Sequence, residues 1–207
     1  MKLYVFPPSP RARKVLAVAA HLGLHCEIQI VDLFKGEQKS PEYLKLNPNG
    51  RMPTLTDGDT VIWESNAIMQ YLASQKPNDL FPSDPKTRLD ITRWQFWDAQ
   101  QWDPACAILL FENLVKGLAG GGPPDAARVA EGEKQFRQWA GVLDGHLAKT
   151  GWPVGSGLTL CDFGLAAPLA HADMCRMPLA EFPNVAKWYA KVEALDAWKK
   201  TAAPPPR

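Results

Sequence analysis

The sequence lacks several patterns that would assign a protein to a class at once. No apolar run is long enough to span a membrane. The first strand-like residues end at Pro7 and Pro8, which is too early for a signal peptide. The formal net charge is only +1, so neither a nucleic-acid surface nor an acidic tail is indicated. We therefore expect a globular protein without a membrane or nucleic-acid partner.

Paired cysteines are also missing, because the four cysteines of the 207-residue chain lie far apart and form no CxxC motif. This spacing predicts reduced, mostly buried thiols of a cytoplasmic protein and argues against a disulfide framework. The four histidines form no ligand cluster with the cysteines, so we expect no metal site. Cys106 and Cys161 fall on apolar helical faces, where core packing is the expected role.

A strand–helix–strand pattern opens the chain. Lys2–Phe6 reads as a strand, and Ser9 then stands at the N-cap of a helix whose first residue is Pro10. Apolar residues at helical spacing continue to Leu22, and Glu27–Val31 reads as the next strand. This order predicts parallel pairing of the two strands, with a right-handed crossover.

The most informative stretch runs from Asn47 to Ser65. It reads as a turn, a strand that follows Met52-Pro53, a hairpin turn at Asp57-Gly58, a returning strand and a helix that Ser65 caps. A cis bond before Pro53 would turn the backbone groups of Met52 outward.

Three polar features therefore meet at one edge. The Met52 backbone can pair with an extended peptide, the helix beginning at Ser65 attracts a carboxylate, and Glu64 attracts an amine. The same residues are also typical of an ordinary hairpin followed by an ordinary capped helix, without any ligand.

A proline-rich segment at residues 78–86 is predicted to separate an N-terminal domain, 1–77, from a helical domain, 87–207. The second half shows no strand alternation. We expect a long helical stretch that is interrupted near Pro104 and a helix capped by Asp125. A buried helix should follow, beginning with a capping box at Thr159–Asp162. A last helix is expected at 184–199 and a tail at 202–207.

Ser9 is the candidate for chemistry in the first turn. A serine hydroxyl without a His/Asp partner is not a base, but it donates a hydrogen bond. Together with a helix N-terminus it would stabilise the thiolate of a bound thiol. A plain Ser-Pro helix start accounts for the same residues.

Four segments together resemble the soluble glutathione transferase family, and the likeness covers nearly the whole chain, nearest to the serine-type theta and phi enzymes. The segments are 9–15, 47–53, 64–68 and 158–163. The resemblance implies a thioredoxin-like α/β N-terminal domain, an all-α C-terminal domain and a homodimer.

The resemblance also implies a role for individual residues. Ser9 would donate to the glutathione thiolate, and Thr159 and Asp162 would be structural. The glutathione-binding set would be Gln38, Lys39, Arg51, Met52, Pro53, Glu64 and Ser65, and the second-substrate pocket would include Pro8, Trp102 and Cys106. Plant-type relatives often carry histidine in place of Gln38 and glutamine in place of Arg51, which leaves the contacts to the glycyl end open.

We therefore expect an enzyme that conjugates the glutathione thiolate to hydrophobic electrophiles in detoxification. The alternatives are a glutathione-dependent dehalogenase or peroxidase, and a non-catalytic binding protein of the same fold. A thiol-disulfide oxidoreductase is disfavoured, because no cysteine lies near Ser9.

Overall fold

The computed structural model describes residues 1–202, so the predicted tail lies outside the described residues except for Ala202. Within residues 1–202 the regular elements are four strands and ten α-helices. They are β1 Lys2–Val5, α1 Pro10–His21, β2 Glu27–Ile30, α2 Pro41–Leu46, β3 Thr54–Asp57, β4 Thr60–Trp63, α3 Ser65–Ser74, α4 Pro85–Trp97, α5 Asp103–Leu110, α6 Lys116–Leu118, α7 Ala126–Thr150, α8 Leu160–Ala166, α9 Pro183–Glu193 and α10 Asp196–Lys200.

The chain divides into two compact units, one formed by Met1–Phe81 with the residues from Ala194 onward, the other by Pro82–Glu193. Within residues 1–202, no helix has the length and apolar character that crossing a membrane requires. The linker predicted at 78–86 is not tested by this division and stays a prediction.

The first unit is built on one four-stranded mixed sheet in the order β2-β1-β3-β4. β1 pairs with β2 in parallel, as the β-α-β pattern predicts, while β3 pairs with β1 and β4 in antiparallel fashion. Leu3 and Val5 of β1 are fully buried, and α1 packs beside α3 in the same unit. The arrangement confirms the predicted thioredoxin-like α/β fold.

A smaller apolar cluster in the first unit contains Tyr43 of α2, Val31 and Met52, with Tyr4 packed against them. The Tyr4 and Tyr43 rings meet edge to face, with centroids 6.1 Å apart. Tyr4 therefore packs, as expected for a residue inside a strand.

The second unit is helical among its described residues, which confirms the predicted class of the C-terminal half. The predicted interruption near Pro104 is a π-helical turn, Asp98–Trp102, directly before α5. Proline has no N–H for the regular helical bond, and the wider turn accommodates that loss. A second π-helical turn, Phe111–Val115, separates α5 from α6.

The predicted buried helix is α8, whose seven residues are all buried. Its capping box is present, since the Asp162 carboxylate accepts from the Thr159 backbone N–H at 2.7 Å. The other carboxylate oxygen of Asp162 accepts from the Trp188 indole N–H at 2.7 Å. Regular α-helix ends at Ala166, and Ala167–His171 continues as a 3-10 helix.

The prediction of one last helix over 184–199 is wrong in one respect. The segment forms two helices, α9 and α10, because the backbone at Leu195 is extended. α10 belongs to the first unit, where the Arg13 guanidinium of α1 stacks over the Trp198 ring at 4.2 Å and donates to the Trp198 carbonyl at 3.2 Å. This packing explains a break that no glycine or proline marks.

Candidate functional site

Three predicted binding segments leave the sheet at the same end. Ser9 follows the carboxyl end of β1, Met52-Pro53 precedes the first residue of β3, and Ser65 follows the carboxyl end of β4. The register pairs Tyr4 with Thr54 and Thr54 with Trp63, so these three strand ends are neighbours. The sheet thus brings the segments to one edge, where open α/β sheets bind ligands.

Ser9 occupies the N-cap position of α1, but its side chain does not cap the helix. The Ser9 backbone makes the hydrogen bonds of this turn instead. Its N–H donates to the Phe6 carbonyl at 2.8 Å, and its carbonyl accepts from the Arg13 backbone N–H at 2.9 Å. Among residues 1–202 the Ser9 hydroxyl makes no hydrogen bond. The hydroxyl is therefore available to donate to a ligand beside the positive end of a twelve-residue helix.

A closed hydrogen-bond network fixes the loop that leads to Pro53. The Tyr43 hydroxyl donates to the Arg51 carbonyl at 2.7 Å, and the Asn47 amide donates to the same oxygen at 2.7 Å. Because the single Tyr43 proton is used there, the Thr54 hydroxyl donates to Tyr43 at 2.8 Å and accepts from Asn47 at 3.1 Å. Burial raises the pKa of Tyr43, which keeps this donor protonated.

The peptide bond between Met52 and Pro53 is cis, and both residues are buried. Met52 lies beyond the last pair of the β1–β3 ladder. No hydrogen bond reaches its backbone groups within the described part of the chain. These groups can pair with an extended peptide along this edge.

The structure brings Gln38 and Lys39 next to the turn that contains Gly50 and Arg51. A methyl group at Gly50 would lie 2.6 Å from Lys39 Nζ and 3.1 Å from the Gln38 carbonyl, and the Gly50 φ of +56° favours glycine as well. The Gln38 amide oxygen is buried and has no partner among residues 1–202. Two exposed cations, Lys39 and Arg51, therefore belong to the same region as this buried amide oxygen.

At the start of α3 the structure corrects the predicted cap. Glu64, not Ser65, is the N-cap residue, and Ser65 is the first helical residue. Glu64 has a positive φ of 70°, which is uncommon for a residue other than glycine and frequent at ligand-binding sites. Its carboxylate is exposed, while Ser65 is buried against the helix N-terminus.

A hydrogen bond that local patterns do not reveal joins α1 to α3. Lys14 Nζ donates to Asn66 Oδ1 at 2.9 Å, although Lys14 is only 3% exposed. Asn66 directly follows Ser65, and Lys14 lies in the helix that begins after Ser9. Local sequence patterns do not single out Lys14, because a basic residue in a basic helical turn is typical of a solvated side chain.

Two of the residues predicted to line the second-substrate pocket do not fit that role. Trp102 is fully buried in the helical unit, where its indole N–H donates to the Leu165 carbonyl at 2.8 Å. Cys106 is 1% exposed. Neither side chain offers surface to a ligand, because the apolar face of a helix forms the core of this unit. Pro8 is exposed.

The protein's own thiols are poor nucleophiles. Burial raises the pKa of Cys106 and Cys161 well above the ordinary value and raises that of Cys175 to about 12. Partial burial raises the pKa of Cys26 as well. Within residues 1–202, no group of three His, Cys, Asp or Glu side chains is placed to hold a metal ion. The groups that this edge presents among the described residues include a hydroxyl, a helix terminus and charged side chains.

Comparison with known proteins gives consistent matches. Residues 1–74 match the family model "Glutathione S-transferase, N-terminal domain", and residues 126–191 match "Glutathione S-transferase, C-terminal domain". The chain is 36% identical to glutathione S-transferase 3 of Zea mays over 218 residues, which covers 100% of this chain and 96% of the relative.

Solved structures agree. A glutathione transferase from Populus trichocarpa superposes with a TM-score of 0.89 at 28% identity and 97% coverage of both chains. A glutathione transferase from Phanerochaete chrysosporium, solved with oxidised glutathione, has a TM-score of 0.84 at 29% identity, with coverage of 97% of this chain and 92% of that one.

Proposed function

This chain belongs to the glutathione S-transferase family, and we propose that its Ser9 hydroxyl activates the thiol of glutathione for transfer to a hydrophobic electrophile. Glutathione is the co-substrate and the protein is a transferase. The observation that carries the proposal is the Ser9 hydroxyl, which neither caps α1 nor bonds to another described residue.

The charges along the edge suit the two ends of glutathione. The γ-glutamyl end carries an ammonium and a carboxylate, which we assign to the Glu64 carboxylate and to the α3 N-terminus at Ser65. The glycyl end carries a carboxylate, which we assign to Lys39 and Arg51. The vacant Gln38 oxygen would accept the glycyl N–H, and the Met52 backbone would pair with the cysteinyl unit before Pro53.

With glutathione held in this way, Ser9 has one task. Its hydroxyl donates a hydrogen bond to the sulfur, and the positive end of α1 adds to the stabilisation, so the thiolate is favoured over the thiol. The sulfur then attacks the electrophilic carbon, the bond to the leaving group breaks, and the leaving group departs with its electron pair. A deprotonated sulfur is the better nucleophile, which is how the hydroxyl accelerates the reaction.

Replacing Ser9 tests this assignment. Ser9→Ala should lower the rate with a model aryl halide about 100-fold, the cost of losing one well-placed donor, while the Kd for glutathione changes much less. The helix should not be destabilised, because the hydroxyl does not cap it. Tyr4→Phe removes another hydroxyl of the first unit and should retain nearly the wild-type rate. Equal rates in Ser9→Ala and wild type, or a large loss in Tyr4→Phe, would reassign the donor.

We further propose that the protein works as a homodimer in the cytoplasm, in detoxification. An apolar stripe on α4 supports the dimer, because Leu89 is 71% exposed and Phe96, two turns on, is 67% exposed. The four free cysteines support a reducing compartment. A panel of aryl halides, alkyl halides and organic hydroperoxides separates conjugation from dehalogenase and peroxidase activity, and a protein that converts none of them would be a binding protein.

A further inference from the structure

Lys14 is the buried charge of the first unit that the proposed mechanism leaves without a role. Lysine is almost never this deeply buried, because taking its ammonium out of water is costly unless partners compensate. One compensating partner is a neutral amide, Asn66 Oδ1, at 2.9 Å. The bond fixes one arrangement of the two helices that carry these residues.

The two residues of this hydrogen bond belong to the two helices that begin at the two ends of the proposed γ-glutamyl-cysteinyl site. Lys14 is on α1, whose first turn follows Ser9, and Asn66 is the second residue of α3, directly after Ser65. α1 and α3 pack against each other in one unit, and apolar packing is non-directional, whereas a hydrogen bond joins two specific atoms. The Lys14–Asn66 bond joins the two helices in this way.

We propose that Lys14 is a positioning residue of the glutathione site. By holding the first turn of α3 through Asn66, it sets the distance between Ser65, which receives the γ-glutamyl carboxylate, and Ser9, which receives the sulfur. This inference rests on the proposed function. Lys14 is not a catalytic residue, because it acts through Asn66 on groups that touch the ligand.

A positioning role predicts a specific loss. If the spacing of two binding points relaxes, a ligand that uses both loses affinity, whereas a ligand that uses one does not. Glutathione spans both points, and cysteinylglycine lacks the γ-glutamyl unit and reaches only the Ser9 side. A residue that merely stabilised the fold would not change the ratio of the two affinities.

The test is calorimetry of wild type and Lys14→Met with glutathione and with cysteinylglycine. Lys14→Met should raise the Kd for glutathione about tenfold, the size of one charge-assisted hydrogen bond. It should leave the Kd for cysteinylglycine within about twofold, so that the preference for glutathione falls. Lys14→Arg should restore much of the preference. Lys76→Met, which removes an exposed lysine beyond the other end of α3, is the matched control and should behave as wild type.

Asn66→Leu keeps the proposal testable if Lys14→Met does not fold, since it removes the other partner and should shift the preference in the same direction. In the double variant the two losses should not add, because they remove one interaction. A Lys14→Met protein with unchanged preference, or one that loses affinity for both ligands equally, overturns the positioning role. If wild type binds no glutathione, the proposed function itself fails and this inference falls with it, so the two failures are told apart by the wild-type titration.

Discussion

Gly50 shows how much of the candidate site is fixed by single residues. It stands between the cations that we assign to the glycyl carboxylate, with a positive φ and with Lys39 Nζ and the Gln38 carbonyl where a Cβ would lie. Ser9 is distinguished by a hydroxyl that makes no hydrogen bond among the described residues. Glu64 is distinguished by its strained backbone, with a positive φ. Ser9 and Glu64 each place one polar group at this edge, and Gly50 leaves room for the Lys39 ammonium.

Gly50→Ala should weaken glutathione binding several-fold, because the new methyl group displaces the Lys39 ammonium. Gly58→Ala is the matched control, since Gly58 has nearly the same φ, 55°, but nothing lies within 4 Å of its Cβ position. Both variants should lose roughly 1 kcal/mol of unfolding free energy through the backbone. Calorimetry and chemical denaturation separate the two effects, and equal glutathione affinities in the two variants would remove Lys39 from the site.

At the scale of the elements, local patterns predicted the first unit well. Prolines, glycines and alternation marked β1, α1 and the hairpin, and the Thr159–Asp162 spacing marked the capping box of α8 in the second unit, because each of these depends on neighbours in sequence. The break before α10 was missed, since it depends on the packing of Trp198 on Arg13, 185 residues away. The cap at Glu64 was missed by one residue, because serine is a common N-cap and glutamate with a positive φ is not.

The capping box of α8 gives a pH dependence. Burial raises the pKa of Asp162 from 3.8 to about 6, against the hydrogen bonds from Trp188 and Thr159 that favour the charged form. The folded state therefore keeps a proton that the unfolded state releases above about pH 4. The contribution of Asp162 to the free energy of unfolding is fully present below pH 4. It declines as the pH rises to about 6 and is constant above that pH.

The size of this decline should be about 3 kcal/mol, from a shift of about two pKa units. Urea unfolding of wild type and Asp162→Asn between pH 4 and 7 isolates it. Asp162→Asn should be less stable overall, because it weakens the capping box. The difference in free energy of unfolding between wild type and Asp162→Asn should shrink as the pH rises. A constant difference across this range would mean that Asp162 titrates at its ordinary value.

At the scale of the whole molecule, the sequence predicted the family and the segments that meet at one edge of the sheet, but not the contacts that hold that edge together. Local motifs located Ser9, Met52-Pro53 and Ser65 along the chain. The Lys14–Asn66 bond joins residues 52 positions apart, and no local pattern encodes it. The pocket residues Trp102 and Cys106 were misassigned because an apolar helical face reads the same whether it packs in a core or lines a pocket.

Assembly is the property that belongs to this scale. Sedimentation should give twice the mass of one 22.9 kDa chain. Leu89→Glu should shift the protein toward monomers, because it places a charge in the apolar stripe of α4. Leu118→Glu makes the same substitution at an exposed leucine of α6 and should leave the mass unchanged. A wild type that sediments as a monomer at micromolar concentration would contradict the dimer.

The central claim is that glutathione is bound as a thiolate held by Ser9, and titration of the bound thiol tests it most directly. Thiolate absorbance in the ultraviolet, followed against pH for the enzyme–glutathione complex, should give a pKa about two units below the free-thiol value of about 8.5. This shift corresponds to about 2.7 kcal/mol in favour of the thiolate. In Ser9→Ala the pKa should return most of the way to the free value. A bound thiol that titrates like free glutathione, or one whose pKa is the same in wild type and Ser9→Ala, would contradict the claim.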